Sequence, residues 1–160
     1  MLCAAGQLNR QLGGPPYQDF TTFVSNSQFY RMTDPVGVPF NRRTIYRTWL
    51  RSGRNPFLDA FDCPDPATTA PRRAVTTTPT QSLALLNNSF VLRMARRMAE
   101  RITRETGPEP RQQASRAILL AYSRTATQED LPTAARFIRK HGLAAYCRVL
   151  FNTNEFLYID

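Results

Sequence analysis

Lysine is nearly missing from this chain: Lys140 is the only one among 21 basic residues, and the rest are arginine. Histidine occurs once, at His141, and cysteine only at Cys3, Cys63 and Cys147. Each scarcity excludes something. Three scattered cysteines cannot frame a disulfide scaffold, and without a Cys-x-x-Cys-His run no covalent haem is expected. A single histidine has no second imidazole with which to share a metal, so neither a metal site nor a cofactor is expected. A nucleophilic serine or cysteine needs a base beside it. His141 stands alone, and its place before Gly142 suits a helix C-terminus, where the ring meets the last carbonyls. Seven dispersed glycines give no phosphate-cradling loop. No apolar run reaches transmembrane length, so no membrane insertion is expected of this segment. Met1 to Ala5 lack the basic residues that open a signal peptide.

What is present suits one domain. The 160 residues are 42% hydrophobic and 21% charged, enough for a single core spanning residues 1–160. The formal charge is +9, but the arginines run from Arg10 to Arg148 and interleave with Glu100, Glu105, Glu109, Glu129 and Asp130. Nucleic-acid readers gather their cations on one face. No specific nucleic acid is therefore expected, and nonspecific anion or nucleic-acid binding through the basic surface is kept as an alternative.

The patterning predicts a mainly α fold. Leu2, Ala5, Leu8 and Leu12 recur at helical spacing over residues 1–14, then Gly13-Gly14 stops them. Residues 15–78 read as short strands, loops and an extended arm. Phe20, Phe23, Val24, Phe29 and Tyr30 are β-formers, punctuated by Asn26, Asp34, Pro35, Gly37 and Pro39. RRTIYRTWLR (Arg42 to Arg51) suits either a strand or a short helix, since Ile45 and Trp49 are four apart. NPFLDAFDCPDP holds Phe57, Leu58 and Phe61 on one turn before its prolines. The arm CPDPATTAPRRAVTTT favours extended, polyproline-like backbone. At Thr78-Pro79-Thr80-Gln81 a capping box opens a helical bundle of about five helices over residues 79–160. Its first helix breaks at Asn87-Asn88. The next carries Phe90, Val91, Met94, Ala95, Met98 and Ile102 on one face.

The candidate constellation is Asp59, Asp62 and Asp65 with Arg72 and Arg73. Three carboxylates at spacing three could hold calcium, and one beside an arginine could act as acid or base. The plainer reading is that they cap the helix and turn, or pair with Arg43, Arg47, Arg72 or Arg73. Tyr46 and Trp49 with Arg43 and Arg47 could form a sugar- or anion-binding surface, or anchor a core.

Four stretches carry a resemblance: NRRTIYRTWLR, NPFLDAFDCPDP, RRAVTTTPTQSLALLNNSFVL and LFNTNEFLYID. Together, in order, they resemble the C-terminal part of a planctomycete-specific family, the planctomycete-specific domain one family (domain of unknown function 1553). The resemblance implies a segment of a large exported or envelope protein, with a cytochrome-c-like domain among its upstream partners. It carries over no catalytic residues. This chain has no such domains, haem motif or export signal, and its first helix lacks an N-cap, so a truncated fragment is expected. Two functions compete: a non-catalytic structural or interaction module whose arm lies across the bundle, its arginines pinned by the aspartates, and part of an enzyme domain, hydrolytic and polysaccharide-related, built on Asp62 and Asp65.

Overall fold

The computed structural model describes residues 1–51, 53–72 and 76–158. Among them the order is β1 (Phe20–Ser25), β2 (Ser27–Met32), α1 (Pro56–Ala60), α2 (Pro79–Asn87), α3 (Ser89–Thr106), α4 (Pro110–Tyr122), α5 (Asp130–His141), α6 (Leu143–Phe151) and α7 (Asn154–Leu157), with 3-10 turns at Val38–Phe40 and Thr44–Tyr46. The fold is mainly α with one two-stranded sheet. The backbone gathers into two compact units: Met1–Gln7 with Leu85–Asp160, and Leu8–Ala84.

The helical unit owns the apolar core. Val91, Met94, Ala95, Met98 and Ile102 of α3 are buried, as are Ala114, Ala117 and Ile118 of α4. Ala134, Ala135 and Ile138 of α5 join them, with Cys147, Leu150 and Phe151 of α6. Full burial of a side chain such as Phe151 or Ile102 contributes about 1.5–3 kcal/mol. Local chemistry sets the helix ends. Asn88 caps α3 by accepting from Phe90 N at 2.9 Å, and Glu109 caps α4 by accepting from Gln112 N at 2.8 Å, with Pro110 at the first helical position. Thr127 and Asp130 exchange hydrogen bonds ahead of α5: Thr127 N to Asp130 Oδ2 at 2.8 Å, and Asp130 N to Thr127 Oγ1 at 3.3 Å. His141 is exposed in the last turn of α5, its ring 4.7 Å from Phe137. In α7, Phe156 lays its ring 4.9 Å from Phe151.

The helix expected over residues 1–14 is a correction: it is a single turn. Gln7 N bonds Leu2 O at 2.9 Å and Gly6 N bonds Cys3 O at 3.0 Å, the paired bonds that terminate a helix at a left-handed residue. Gly6 supplies that residue, with φ +67°. The apolar spacing ran past Gly6, but the backbone did not. Arg101 of α3 then binds the freed carbonyls, donating to Cys3 O and Ala4 O at 3.1 Å each.

The unit Leu8–Ala84 is organised differently. The strands β1 and β2 pair antiparallel from Phe20↔Met32 to Ser25↔Ser27, reversing at Asn26, which takes φ +58°. Among the described residues this hairpin supplies the short strands expected in that stretch. Arg42 to Arg51 combines both expected conformations: a 3-10 turn at Thr44–Tyr46, then a parallel bridge from Arg47 to Tyr17. Asn55 caps α1 by accepting from Phe57 N and Leu58 N. The capping box forms as drawn, with Thr78 N to Gln81 Oε1 at 3.2 Å and Gln81 N to Thr78 Oγ1 at 3.4 Å.

Candidate functional site

All the candidate side chains except Arg73, which lies outside the described residues, fall within Leu8–Ala84. Their geometry starts at Asp19, just ahead of β1. Its backbone carbonyl accepts from Thr33 N at 2.7 Å, which extends the hairpin ladder by one pair. That fixes the side chain inward, where Oδ2 accepts from Arg47 Nε at 2.7 Å and from Asn55 Nδ2 at 3.1 Å. Both members of the ion pair are buried, with side chains 2% (Arg47) and 9% (Asp19) exposed. Arg47 also points Nη2 at Met32 Sδ, 3.5 Å away, and sets its guanidinium carbon 5.0 Å from the Trp49 ring centroid. Burial, and then the Asp19 charge, push the Tyr17 phenol above its ordinary value.

Arg42 is the second buried cation. Nη1 donates to Pro15 O at 2.8 Å and Nη2 to Gly13 O, while the guanidinium lies 4.1 Å over the Tyr46 ring. Tyr46 in turn accepts from Gly13 N at 3.1 Å. Tyr46 and Trp49 are therefore each stacked under an arginine that is already bonded. Arg43 and Arg72 are exposed.

The three aspartates do not converge. Asp62, at φ +55°, accepts from Thr76 N at 2.7 Å and from Thr76 Oγ1 at 2.9 Å, so it holds a threonine where an arginine was expected. Thr76 O then accepts from Gln81 Nε2 at 2.9 Å, which ties the end of the arm to the first turn of α2. Asp65 pairs with Arg54 and accepts from Ala67 N at 2.9 Å, and Thr68 N closes the turn on Asp65 O. The arm thus opens on a turn instead of extended backbone. Ala67 N–H, and after it Arg54, hold the Asp65 carboxyl below its ordinary value, away from the near-neutral range in which a general acid or base works best. Asp59 sits in the first turn of α1. Among the described residues no group of three His, Cys, Asp or Glu side chains is placed to hold a metal ion.

The family is decided by a model comparison: PSD1, described as protein of unknown function (DUF1553), matches residues 1–138. The chain belongs to this family. The PSD1 match takes in the whole Leu8–Ala84 unit and stops within α5, so the closing LFNTNEFLYID stretch lies outside it. No curated protein and no solved structure matches the chain. Among described residues of this PSD1 member no helix is long and apolar enough to cross a membrane.

Reading the residues in order missed Asp19, Arg54, Asn55 and Thr76. Asn55 had a local signal, an Asn-Pro step at a helix start. Asp19 had a weaker one, a lone acid among Tyr17, Phe20 and Phe23 in a stretch that is otherwise uncharged from Gln11 to Tyr30. Arg54 and Thr76 had none.

Proposed function

We propose that this chain is a non-catalytic structural or interaction module, the C-terminal part of a larger planctomycete-type envelope protein whose upstream domains are its partners. One observation supports the reading above others. Among the described residues of Leu8–Ala84, the buried side chains are Asp19, Arg42, Arg47 and Gln81, all polar. Many of the large apolar ones are outside: Leu12, Phe23, Val24, Phe29, Val36, Val38, Ile45, Trp49 and Leu83 are exposed, while Phe20, Met32, Phe40, Leu50, Phe57, Leu58 and Phe61 are half-buried. A unit whose fully buried side chains are polar, and which leaves many hydrophobic ones exposed, resembles one face of an assembly. The carboxylates that an enzyme would need are engaged with Thr76, Arg54 and backbone N–H groups.

The test pairs stability with activity. Asp62→Asn should lower the thermal midpoint, because the amide replaces an acceptor oxygen facing Thr76 N and Oγ1. The parent chain should release no reducing ends from neutral or acidic polysaccharides. Hydrolysis that disappears in Asp62→Asn or Asp65→Asn, at unchanged thermal midpoint, would overturn the reading in favour of a polysaccharide-directed enzyme domain.

A further inference from the structure

Among the described residues the hairpin leaves two edges open, and the register says which groups they present. Thr33 N bonds Asp19 O, and residues 19 and 33 continue the register in which Phe20 faces Met32. Hydrogen-bonded and non-bonded pairs alternate along an antiparallel ladder. The odd-numbered pairs Thr21↔Arg31 and Phe23↔Phe29 therefore exchange the hydrogen bonds. The backbone groups of Phe20, Thr22 and Val24 point away from β2, and among the described residues they meet nothing. Strand edges of this kind are normally blunted by charge, proline or a bulge. β1 has none of these. From Phe20 to Tyr30 the sequence carries no charge at all, in a chain of +9.

The geometry points to β1 as the contact between two copies of this chain, joined edge to edge about a two-fold axis at Thr22. Two positively charged molecules approach most easily where neither carries charge, and β1 is such a strip. The other edge is less suited, because β2 carries Arg31, and self-pairing would put two of these like charges on the same face of a single sheet within a few positions of each other. With the axis at Thr22, the outward groups match themselves: Thr22 faces Thr22 of the second copy, and Phe20 faces its Val24. Those three pairs can exchange about six backbone hydrogen bonds. Phe20–Val24 is an aromatic–β-branched pair of the kind that stabilises sheets. Val24 is 83% exposed in the single chain and becomes covered. Dimerisation also turns an isolated hairpin, marginal in water, into a four-stranded sheet. The contact is small, so the dimer should be reversible at micromolar concentration. The inference does not rest on the proposed function: a strictly monomeric chain would leave the roles of Asp62 and Asp65 as they are.

Sedimentation velocity across micromolar concentrations tests it on the 160-residue chain. The parent should pass from monomer to dimer and no further. Thr22→Pro removes an N–H that faces outward and leaves the β1–β2 ladder whole; Val24→Lys adds a charge to the edge. Each should weaken the dimer at least about tenfold with far-UV circular dichroism unchanged. Thr22→Cys, in a Cys3→Ser, Cys63→Ser background, should crosslink to itself under oxidised glutathione, since facing bonded pairs stand about 5.5 Å apart at Cα. Thr21→Cys should not. If proline at Thr22 disturbs folding, the lysine and cysteine variants decide alone. A monomer at every concentration, a dimer indifferent to the edge variants, or growth beyond dimers through a β1–β2 contact would each refute the proposal.

Discussion

Replacing Arg47 with alanine should bring the Leu8–Ala84 unit to the edge of unfolding in plain buffer. The arginine is 2% exposed at its side chain and, among the described residues, the only cation bonded to Asp19. Removing one partner of a buried pair costs about 3–5 kcal/mol, because the other charge stays buried. Two details set the value near the bottom of that range. The contact is single-point, leaving Asp19 Oδ1 and Arg47 Nη1 without hydrogen bonds among the described residues, and Asn55 Nδ2 still serves Asp19 after the change. At roughly 0.05 kcal/mol per residue, the low end for folded domains, residues 8–84 hold about 4 kcal/mol. A loss of about 3 kcal/mol leaves little. Trp49 makes the measurement direct. It is the only tryptophan and stands over Arg47, so its fluorescence in a urea titration reports this unit, while far-UV circular dichroism is dominated by the helices. Arg47→Ala should show a partly shifted emission without urea, and Arg47→Met with Asp19→Asn should recover most of the loss. A single-variant cost below about 1 kcal/mol, or a double variant as weak as the single one, would falsify the assignment of this pair as the unit's anchor.

Three other changes have definite expected outcomes. Arg124 first, and then Thr127 N–H, hold the Asp130 carboxyl at about 2 against an ordinary 3.8; a depressed carboxylate stabilises above its unfolded value, so α5 should loosen as pH falls from about 4 towards 2, visible by circular dichroism and absent in Asp130→Asn. Burial pushes the Cys147 thiol up to about 12, so a thiol reagent at pH 8 should label exposed Cys3 readily and Cys147 only in denaturant; labelling of Cys147 in the folded chain would contradict its placement in the core. Gly6→Ala forces a side chain onto φ +67° with its Cβ 3.3 Å from Arg101 Cδ; it should cost about 1–2 kcal/mol, and an unchanged melting temperature would mean that the N-terminal turn is not closed as described.

What could be read in advance was local. The capping box at Thr78 and Gln81, the break at Asn87-Asn88 and the buried stripe of α3 each depend on residues within a few positions of one another. The resemblance to PSD1 was equally legible, since it rests on contiguous motifs. Residues 1–14 misled because Leu2, Ala5, Leu8 and Leu12 keep helical spacing across Gly6, where a left-handed φ had already ended the turn. The ion pairs were not legible for a different reason. With arginine at nearly every basic position, residue type cannot choose partners, and the choice falls to tertiary geometry: Asp19 takes Arg47 across 28 positions, and Asp65 takes Arg54. Asp62 illustrates the same point, because two donors on Thr76 satisfied it and left no need for Arg72.

The contrast between the two units has a consequence for dynamics. The helical unit buries Val91, Met98, Ile102, Cys147 and Phe151 completely, so its α3 and α6 amides should open only when that core is lost. Among the described residues of Leu8–Ala84 no large apolar side chain is fully buried; opening there breaks polar contacts that water can replace. Native-state hydrogen exchange should therefore separate them, with the slowest amides in α3 and α6 and much faster ones at Tyr17, Thr33 and Thr48, although each of these donates to a backbone carbonyl. The PSD1 match covers the whole of this polar-cored unit. A unit that keeps many hydrophobic side chains outside and an ion pair inside gains stability by covering the surface, not by adding to the interior. Raising the concentration of the chain should then slow exchange at Thr22 and Val24, the outward amides of β1, and leave α3 unchanged. Equal protection in both units at low concentration would contradict this division, because it would require an apolar core in Leu8–Ala84 that the side chains there do not build.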